Sequence, residues 1–439
     1  MIFVAQDCSP LNPQPTAKQA NWLHRLSANM RAAELVVSIS GERDEDEPIV
    51  YCDRDGIWKA GRYVGSIAFE GCILKIEPRF GLPALKGWIS EVASVKLVDT
   101  LGKLREDESF IANLLASVWA RNLAEAARHG LPALRREVTT RGLILRGRLD
   151  VSASIRSIAE GCGQVVSIRS ERSLDHAASD AIIAAYTVLR RWLEGQEEKW
   201  LPARTKELLS SLMAVTGTRP HVPTKAELKR VRYTPITAGF APVAELSRQI
   251  ANRKGLATSL DSNEETKGVL LDVAELWEMY VLSVLRKAAA PLTIIHGTRD
   301  KFSNKKLLRS NDLEQSIGTL IPDGIIQWGS DVRGIVDAKY KSLHPSASSQ
   351  SGPQRNDLYQ MVTYLASFQP HSDRAAWGLL VYPFDPKKPD MPNAEQKSPW
   401  SLGENTKISF CTLPHNSAEA VEKLCSLIFQ IQPAGNLAN

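Results

Sequence analysis

Between Val273 and Leu285, the apolar residues Val273, Leu276, Trp277, Tyr280, Val281, Val284 and Leu285 recur at i, i+3, i+4, i+7, i+8, i+11 and i+12. That spacing makes one continuous stripe, which only an α-helix can bury. The period then changes. Residues 319–328 and 333–340 read as strands joined across Gly329-Ser330-Asp331 in a hairpin. A Ser/Pro/Gly/Gln-rich loop over 344–353 leads to a second helix over 357–368 and a buried strand over 377–382. The C-terminal part is therefore expected to be an α/β domain.

Upstream, the pattern differs. Pro10, Pro13 and Pro15 among polar residues predict an irregular arm, followed by a helix on which Trp22, Leu23, Leu26 and Met30 share a face. Short strands are expected over 49–52, 62–69 and 72–76, with turns at Asp55-Gly56 and Glu70-Gly71. Residues 107–130 return to helical periodicity and stop at Gly130-Leu131-Pro132. A strand over 143–151 and helices over 178–193 and 205–215 follow. The polar stretch 259–267 is the expected boundary. We thus expect an α+β multidomain protein: an N-terminal arm and β-rich domain (1–104), a mainly helical basic middle region (105–265) and the C-terminal α/β domain (266–439).

Composition excludes several classes. A chain of 439 residues with 43% hydrophobic and 23% charged residues is neither disordered nor fibrous. The strongest candidate span, near 273–285, is broken by Glu275 and Glu278, and the N-terminus lacks the basic region and long apolar core of a signal peptide. A cytoplasmic protein with no membrane partner is expected. Its six cysteines are scattered, without a C-x-x-C pair or zinc-finger spacing, so they read as reduced thiols.

Net charge is +5, but it is unevenly spread. Residues 201–260 hold ten Lys and Arg against three acids, an excess of seven. Arg135, Arg136, Arg141, Arg146 and Arg148 crowd another stretch in which Glu137 is the single acid. Such clusters suit a polyanion, because each neutralised phosphate releases counterions; a solvated helix surface is the alternative. The acidic stretch 42–47 would repel DNA.

The residues with chemical content are Pro322-Asp323, Asp337-Ala338-Lys339, Gln360 and Tyr364. On a strand, Asp337 and Lys339 project to one side. A hairpin would bring Asp323 beside Asp337, where a hard divalent cation, Mg²⁺ or alternatively Mn²⁺, relieves the repulsion. A lysine two residues on could orient the attacking water and stabilise charge on phosphate. A plain solvated strand has the same pattern, yet Gly-Ile-Val-Asp-Ala-Lys-Tyr is apolar and an unpaired carboxylate there is costly. Asp357, Gln360 and Tyr364 fall at i, i+3 and i+7, one polar helix face.

These motifs resemble the PD-(D/E)xK restriction-endonuclease superfamily. The residues around them are similar to McrC, the nuclease subunit family of the McrBC 5-methylcytosine-specific restriction system. The supporting stretches are Leu276-Trp277-Glu278-Met279-Tyr280-Val281, residues 336–341, Asp357-Leu358-Tyr359-Gln360 with Tyr364, Leu145-Arg146-Gly147-Arg148-Leu149-Asp150, and the 67–80 hairpin ending Ile-Glu-Pro-Arg-Phe. The resemblance implies that Asp323 and Asp337 ligate Mg²⁺, that Lys339 is the catalytic lysine, and that Glu278 completes the metal shell directly or through water. Gln360 and Tyr364 would support the site or contact DNA, and Lys341 would be a surface lysine or one touching phosphate. Arg79 stands where the family pattern has lysine.

The chain has no G-x-x-x-x-G-K-[ST] motif, so it hydrolyses no nucleotide through a P-loop. The resemblance implies a partner, an McrB-like hexameric AAA+ GTPase, which the N-terminal domain would dock with and stimulate through a basic side chain of the 62–79 hairpins. The expected function is a Mg²⁺-dependent endonuclease subunit acting on DNA that is methylated or otherwise modified. The alternatives are a free-standing nuclease of the same superfamily, a nuclease-inactive assembly factor, and a pure nucleic-acid-binding module.

Overall fold

The structure, a computed structural model, describes residues 2–29, 36–37, 48–93, 106–194, 196–218, 220–252, 267–297, 305–310, 315–329, 331–346, 350, 352–368, 376–403 and 406–429. The acidic stretch 42–47, the boundary segment 259–266, Met30, Arg219, Arg253 and Lys254 lie outside them. The chain forms two compact units: Met1–Ser94 with Ser259–Asn439, and Val95–Thr258. The expected N-terminal and C-terminal domains thus belong to one unit.

In the first unit, a five-stranded sheet runs in the order Ile2–Gln6, Cys72–Glu77, Tyr63–Phe69, Lys267–Asp272, Val36–Val37. The Tyr63–Phe69 and Cys72–Glu77 strands pair across Glu70-Gly71, both at positive φ (46° and 72°), the backbone that a two-residue hairpin matching the strand twist requires. Residues 2–6 are not the irregular arm expected from the prolines. Ile-Phe-Val-Ala-Gln precedes the first proline, and its alternation buries Ala5 while Ile2 and Val4 face out, so it pairs in parallel with Cys72–Glu77. Trp22, Leu23 and Leu26 of the Ala17–Asn29 helix pack on Ile67, Leu74, Ile76 and Leu270. Leu270 comes from the far side of the intervening unit.

Asp272 ends its strand and caps the Val273–Ala288 helix, accepting from the backbone N–H groups of Ala274 (3.1 Å) and Glu275 (3.0 Å). The stripe of that helix is buried, as its periodicity predicts. The six-stranded second sheet has the order Thr293–His296, Gly324–Trp328, Asp331–Ala338, Ala376–Pro383, Thr406–Leu413, Trp400–Leu402. Gly324–Trp328 and Asp331–Ala338 form the expected hairpin, and Asp331–Ala338 pairs in parallel with Ala376–Pro383 through the Arg355–Ser367 helix. The run 319–328 is not one strand. Pro322 lacks an N–H and breaks it, so Ser316–Leu320 pairs with Lys305–Arg309 in a separate ribbon.

The second unit packs the Glu106–Ala126, Ala177–Trp192, Ala203–Thr216 and Phe240–Asn252 helices around Trp119, whose indole donates to Ser247 Oγ (2.8 Å). It is less purely helical than its periodicity suggests. Leu134–Gly142, Val165–Ser173 and Arg148–Leu149 form a three-stranded sheet. The strand expected over 143–151 shrinks to Arg148–Leu149, because the Asp150 side chain accepts from Ala153 N–H and starts the Val151–Ala159 helix. Among the described residues no helix is long and apolar enough to cross a membrane, and all six cysteines are free thiols.

Candidate active site at the end of the second sheet

The hairpin register places Gly324 opposite Val336, which sets Asp323 beside Asp337. Pro322 ends one pairing and the next strand begins immediately after Asp323, so its side chain turns back over Asp331–Ala338. The Asp323 Oδ2 accepts the Ala338 N–H at 2.6 Å. Asp337 is 2% exposed, projecting toward the Arg355–Ser367 helix together with Ile335.

Charge is concentrated here. Burial, followed by the negative charges of Glu278 and Asp337, raises Asp323 well above the usual carboxylate range. Burial also raises Asp337, although Lys339 and a hydrogen bond with Asp323 pull against it. Lys339 Nζ lies 2.7 Å from Asp337 Oδ2. Burial works against that ammonium, but the attraction of Asp337 outweighs it and the lysine pKa is raised. Lys339 is therefore held as a cation.

A hydrogen-bond relay continues from the lysine. Lys339 Nζ donates to Gln360 Oε1 (2.7 Å), Gln360 Nε2 donates to Tyr364 Oη (2.8 Å), and the Tyr364 hydroxyl donates to the Ile321 carbonyl (3.0 Å). Ile321 precedes Pro322-Asp323, so the relay ends on the segment that bears Asp323. Tyr364 is buried, with its phenol pushed up to about 12 by burial, which keeps it a neutral donor.

Asp323, Asp337, Lys339 and Gln360 are thus brought together, and the charge of Glu278, on the Val273–Ala288 helix, reaches the same centre. Two expectations change. Asp357 does not share an open polar face with Gln360; it is buried, bonded by Lys341 Nζ (2.8 Å) and by the Tyr382 hydroxyl (3.3 Å). Lys341 is accordingly no plain surface lysine. Sequence reading also missed His296. It is 5% exposed, with Nε2 at 3.3 Å from Glu278 Oε1, and its strand pairs His296 with Gly324. Gly297 beside it is required by close approach, since a Cβ there would fall 1.8 Å from the Pro322 carbonyl oxygen. A lone histidine before glycine carries no periodic signal, so only the fold reveals it.

Asp323, Asp337 and Glu278 are hard oxygen donors, the type that suits Mg²⁺ or Mn²⁺, and the repulsion raising Asp323 is what a cation relieves. Among the described residues, no three His, Cys, Asp or Glu side chains converge as a ready-made cage. Mg²⁺ commonly uses one or two carboxylates and keeps its waters, so Asp323 and Asp337 with a water-linked Glu278 fit.

The basic residues of the 62–79 hairpins are engaged within their own unit. Arg62 Nε donates to Asp272 (2.8 Å) and Lys75 pairs with Glu77 (2.8 Å). Arg79 donates its backbone N–H to the buried Asp7 (2.6 Å) and its guanidinium to the Tyr340 carbonyl, and it lies over the Tyr340 ring (4.5 Å). That knot anchors the N-terminal sheet next to Lys339. Of the basic clusters, Arg135, Arg141, Arg146 and Arg148 lie exposed on and beside the three-stranded sheet of the second unit, and Arg248 pairs with Glu245 (2.6 Å).

A chain of the half-complex from the tetradecameric assembly of Thermococcus gammatolerans McrB AAA+ hexamers with bound McrC is 17% identical, covering 98% of this chain and 99% of that one, with a TM-score of 0.54. A chain of the Thermococcus gammatolerans McrBC complex is 20% identical over 66% of this chain and 88% of that one, with a TM-score of 0.34. No curated protein matches in sequence. The family described as McrBC 5-methylcytosine restriction system component matches residues 58–383, more than half of the chain, and the chain belongs to that family.

Proposed function

We propose that the chain is the metal-dependent endonuclease subunit of an McrBC-like restriction complex, cutting modified DNA while an McrB-like AAA+ GTPase partner, whose hydrolysis it stimulates, acts on the same DNA. The observation that carries this reading is the meeting of Asp323, Asp337 and Lys339 at the end of a sheet with helices on its two faces. This arrangement supports a PD-(D/E)xK domain. Family membership supports the partner, as does the likeness to a chain from an assembly of McrB AAA+ hexamers with bound McrC.

Asp323 and Asp337 would hold Mg²⁺, with Glu278 contributing through water; when bound, the ion supplies Lewis-acid stabilisation at phosphate and a more acidic water. The Lys339 ammonium, held by Asp337 and Gln360, faces the phosphate, orients the nucleophilic water and offsets charge that builds on the non-bridging oxygens. Gln360 and Tyr364 keep the lysine in one rotamer, and His296 holds the Glu278 carboxylate.

The test uses the purified chain with its AAA+ partner, methylated plasmid DNA, Mg²⁺ and GTP. The wild type cleaves. Asp337→Ala should lose roughly 100-fold or more of the cleavage rate, and full cleavage by that variant would sink the assignment. Cleavage by the wild type without any partner would instead indicate a free-standing nuclease.

A further inference from the structure

The second unit carries a charged surface that the cleavage centre does not use. In its three-stranded sheet, Leu134–Gly142 pairs antiparallel with Val165–Ser173, and Arg148–Leu149 pairs on the other side of Val165–Ser173. Directly opposed residues share a face. The register sets Arg135 opposite Arg172, Glu137 opposite Ser170, Thr139 opposite Ile168 and Arg148 opposite Ile168, with Arg141 six residues along from Arg135. One face therefore presents Arg135, Arg141, Arg148 and Arg172, all exposed, against the single acid Glu137.

Two features separate this face from an ordinary solvated one. Among the described residues, none of the four arginines has an ion-pair partner, whereas Arg169, on the opposite face, is paired with Glu171 (3.0 Å). Arg135 and Arg172 are also cross-strand neighbours of like charge, an arrangement that opposes folding and that an anion between them relieves. Six residues of strand separate Arg135 from Arg141, about 20 Å at roughly 3.3 Å per residue. That distance spans several successive phosphates of a duplex. Arginine rather than lysine at all four positions suits phosphate, which its planar fork binds bidentately.

We propose that this face is a track for the phosphate backbone of duplex DNA, holding the substrate without reading its sequence. The ligand follows from charge and span, and this holding role extends the nuclease reading without sharing residues with it.

The experiment measures binding of a fluorescent duplex to the full chain by anisotropy across a salt series in EDTA, where no cleavage occurs. Arg135→Ser/Arg141→Ser/Arg172→Ser should lower affinity at least tenfold, and the slope of log K against log salt should flatten by roughly 0.9 for each phosphate no longer neutralised. Because the three side chains are exposed, thermal unfolding should be unchanged or slightly improved at low salt. A lysine triple variant at the same positions should retain most of the slope. Unchanged affinity and slope in the serine variant would overturn the proposal, as would normal DNA binding combined with loss of the AAA+ partner, which would make the face a protein contact. Full cleavage by Asp337→Ala in a separate assay with Mg²⁺ would overturn the nuclease reading and leave the track standing on the salt series alone.

Discussion

Gly378→Ala tests how tightly packing positions the lysine relay. Gly378 lies on the Ala376–Pro383 strand under the Arg355–Ser367 helix, and a Cβ there would sit 2.6 Å from Met361 Sδ and 3.1 Å from Leu365 Cδ1. Contacts under 3.4 Å are strained, so the helix must retreat by about 0.8 Å or Met361 must leave its rotamer. Met361 is 0% exposed, so it cannot yield by swinging into solvent. Overpacking of this kind costs about 1–3 kcal/mol. Gln360 neighbours Met361, and an outward shift of that size stretches the 2.7 Å Lys339–Gln360 bond to the limit of hydrogen bonding. The urea midpoint, followed by far-UV circular dichroism, should fall, and cleavage should fall with it. Met361→Ala alone leaves a cavity costing about 2–5 kcal/mol. The double variant should cost less than the sum of the singles by at least about 1 kcal/mol, because the new methyl fills the new space. A neutral Gly378→Ala, or strictly additive singles, would refute this account of the packing.

Three further outcomes follow from single contacts. Tyr364→Phe removes the bonds to Gln360 and Ile321 and strands a carbonyl, so it should destabilise by about 1–3 kcal/mol in denaturant titrations; no measurable loss would mean the relay is not formed. Burial pushes the Asp272 carboxyl up from 3.8 to about 6 despite Arg62 and the capped N–H groups. A folded pKa above the unfolded one means the protonated form is favoured, so this stability is present below 3.8 and is lost as pH rises through 6. The loss is about 3 kcal/mol at most. Asp272→Asn keeps a capping residue and removes the titration, so the stability difference between wild type and variant should drift across that window; a flat difference would contradict it. His296→Leu should weaken Mn²⁺ binding to the full chain by roughly tenfold in calorimetry, with His296→Gln restoring part of it, and equal binding by all three proteins would remove His296 from the site.

What was legible in the sequence was whatever repeats along it. The stripe from Val273 to Leu285, the Gly329 hairpin and the helix bearing Gln360 and Tyr364 all follow from local period and turn chemistry, and Asp323 beside Asp337 follows from the hairpin. The misses share a cause. The first strand, Ile2–Gln6, is too short to outweigh the prolines behind it; Ser316–Leu320 parted from its neighbour at a single proline; and His296 and the Asp357–Lys341 pair are tertiary contacts without a local signature. Arg172 was passed over for a similar reason, since only strand register puts it opposite Arg135.

The Lys267–Asp272 strand has a practical consequence. It pairs with Tyr63–Phe69 about two hundred positions away, with Val36–Val37 on its other edge, and it runs straight into the helix that bears Glu278. A C-terminal fragment cut at residue 266 would carry this strand with nothing to pair with, while an N-terminal fragment ending near 104 would have a gap in its sheet. Neither half is a sound expression target. The clean excision is internal: joining residue 94 to 259 removes the second unit while leaving every strand of both sheets in the chain, and that deletion tests whether the proposed cleavage and the proposed DNA holding separate.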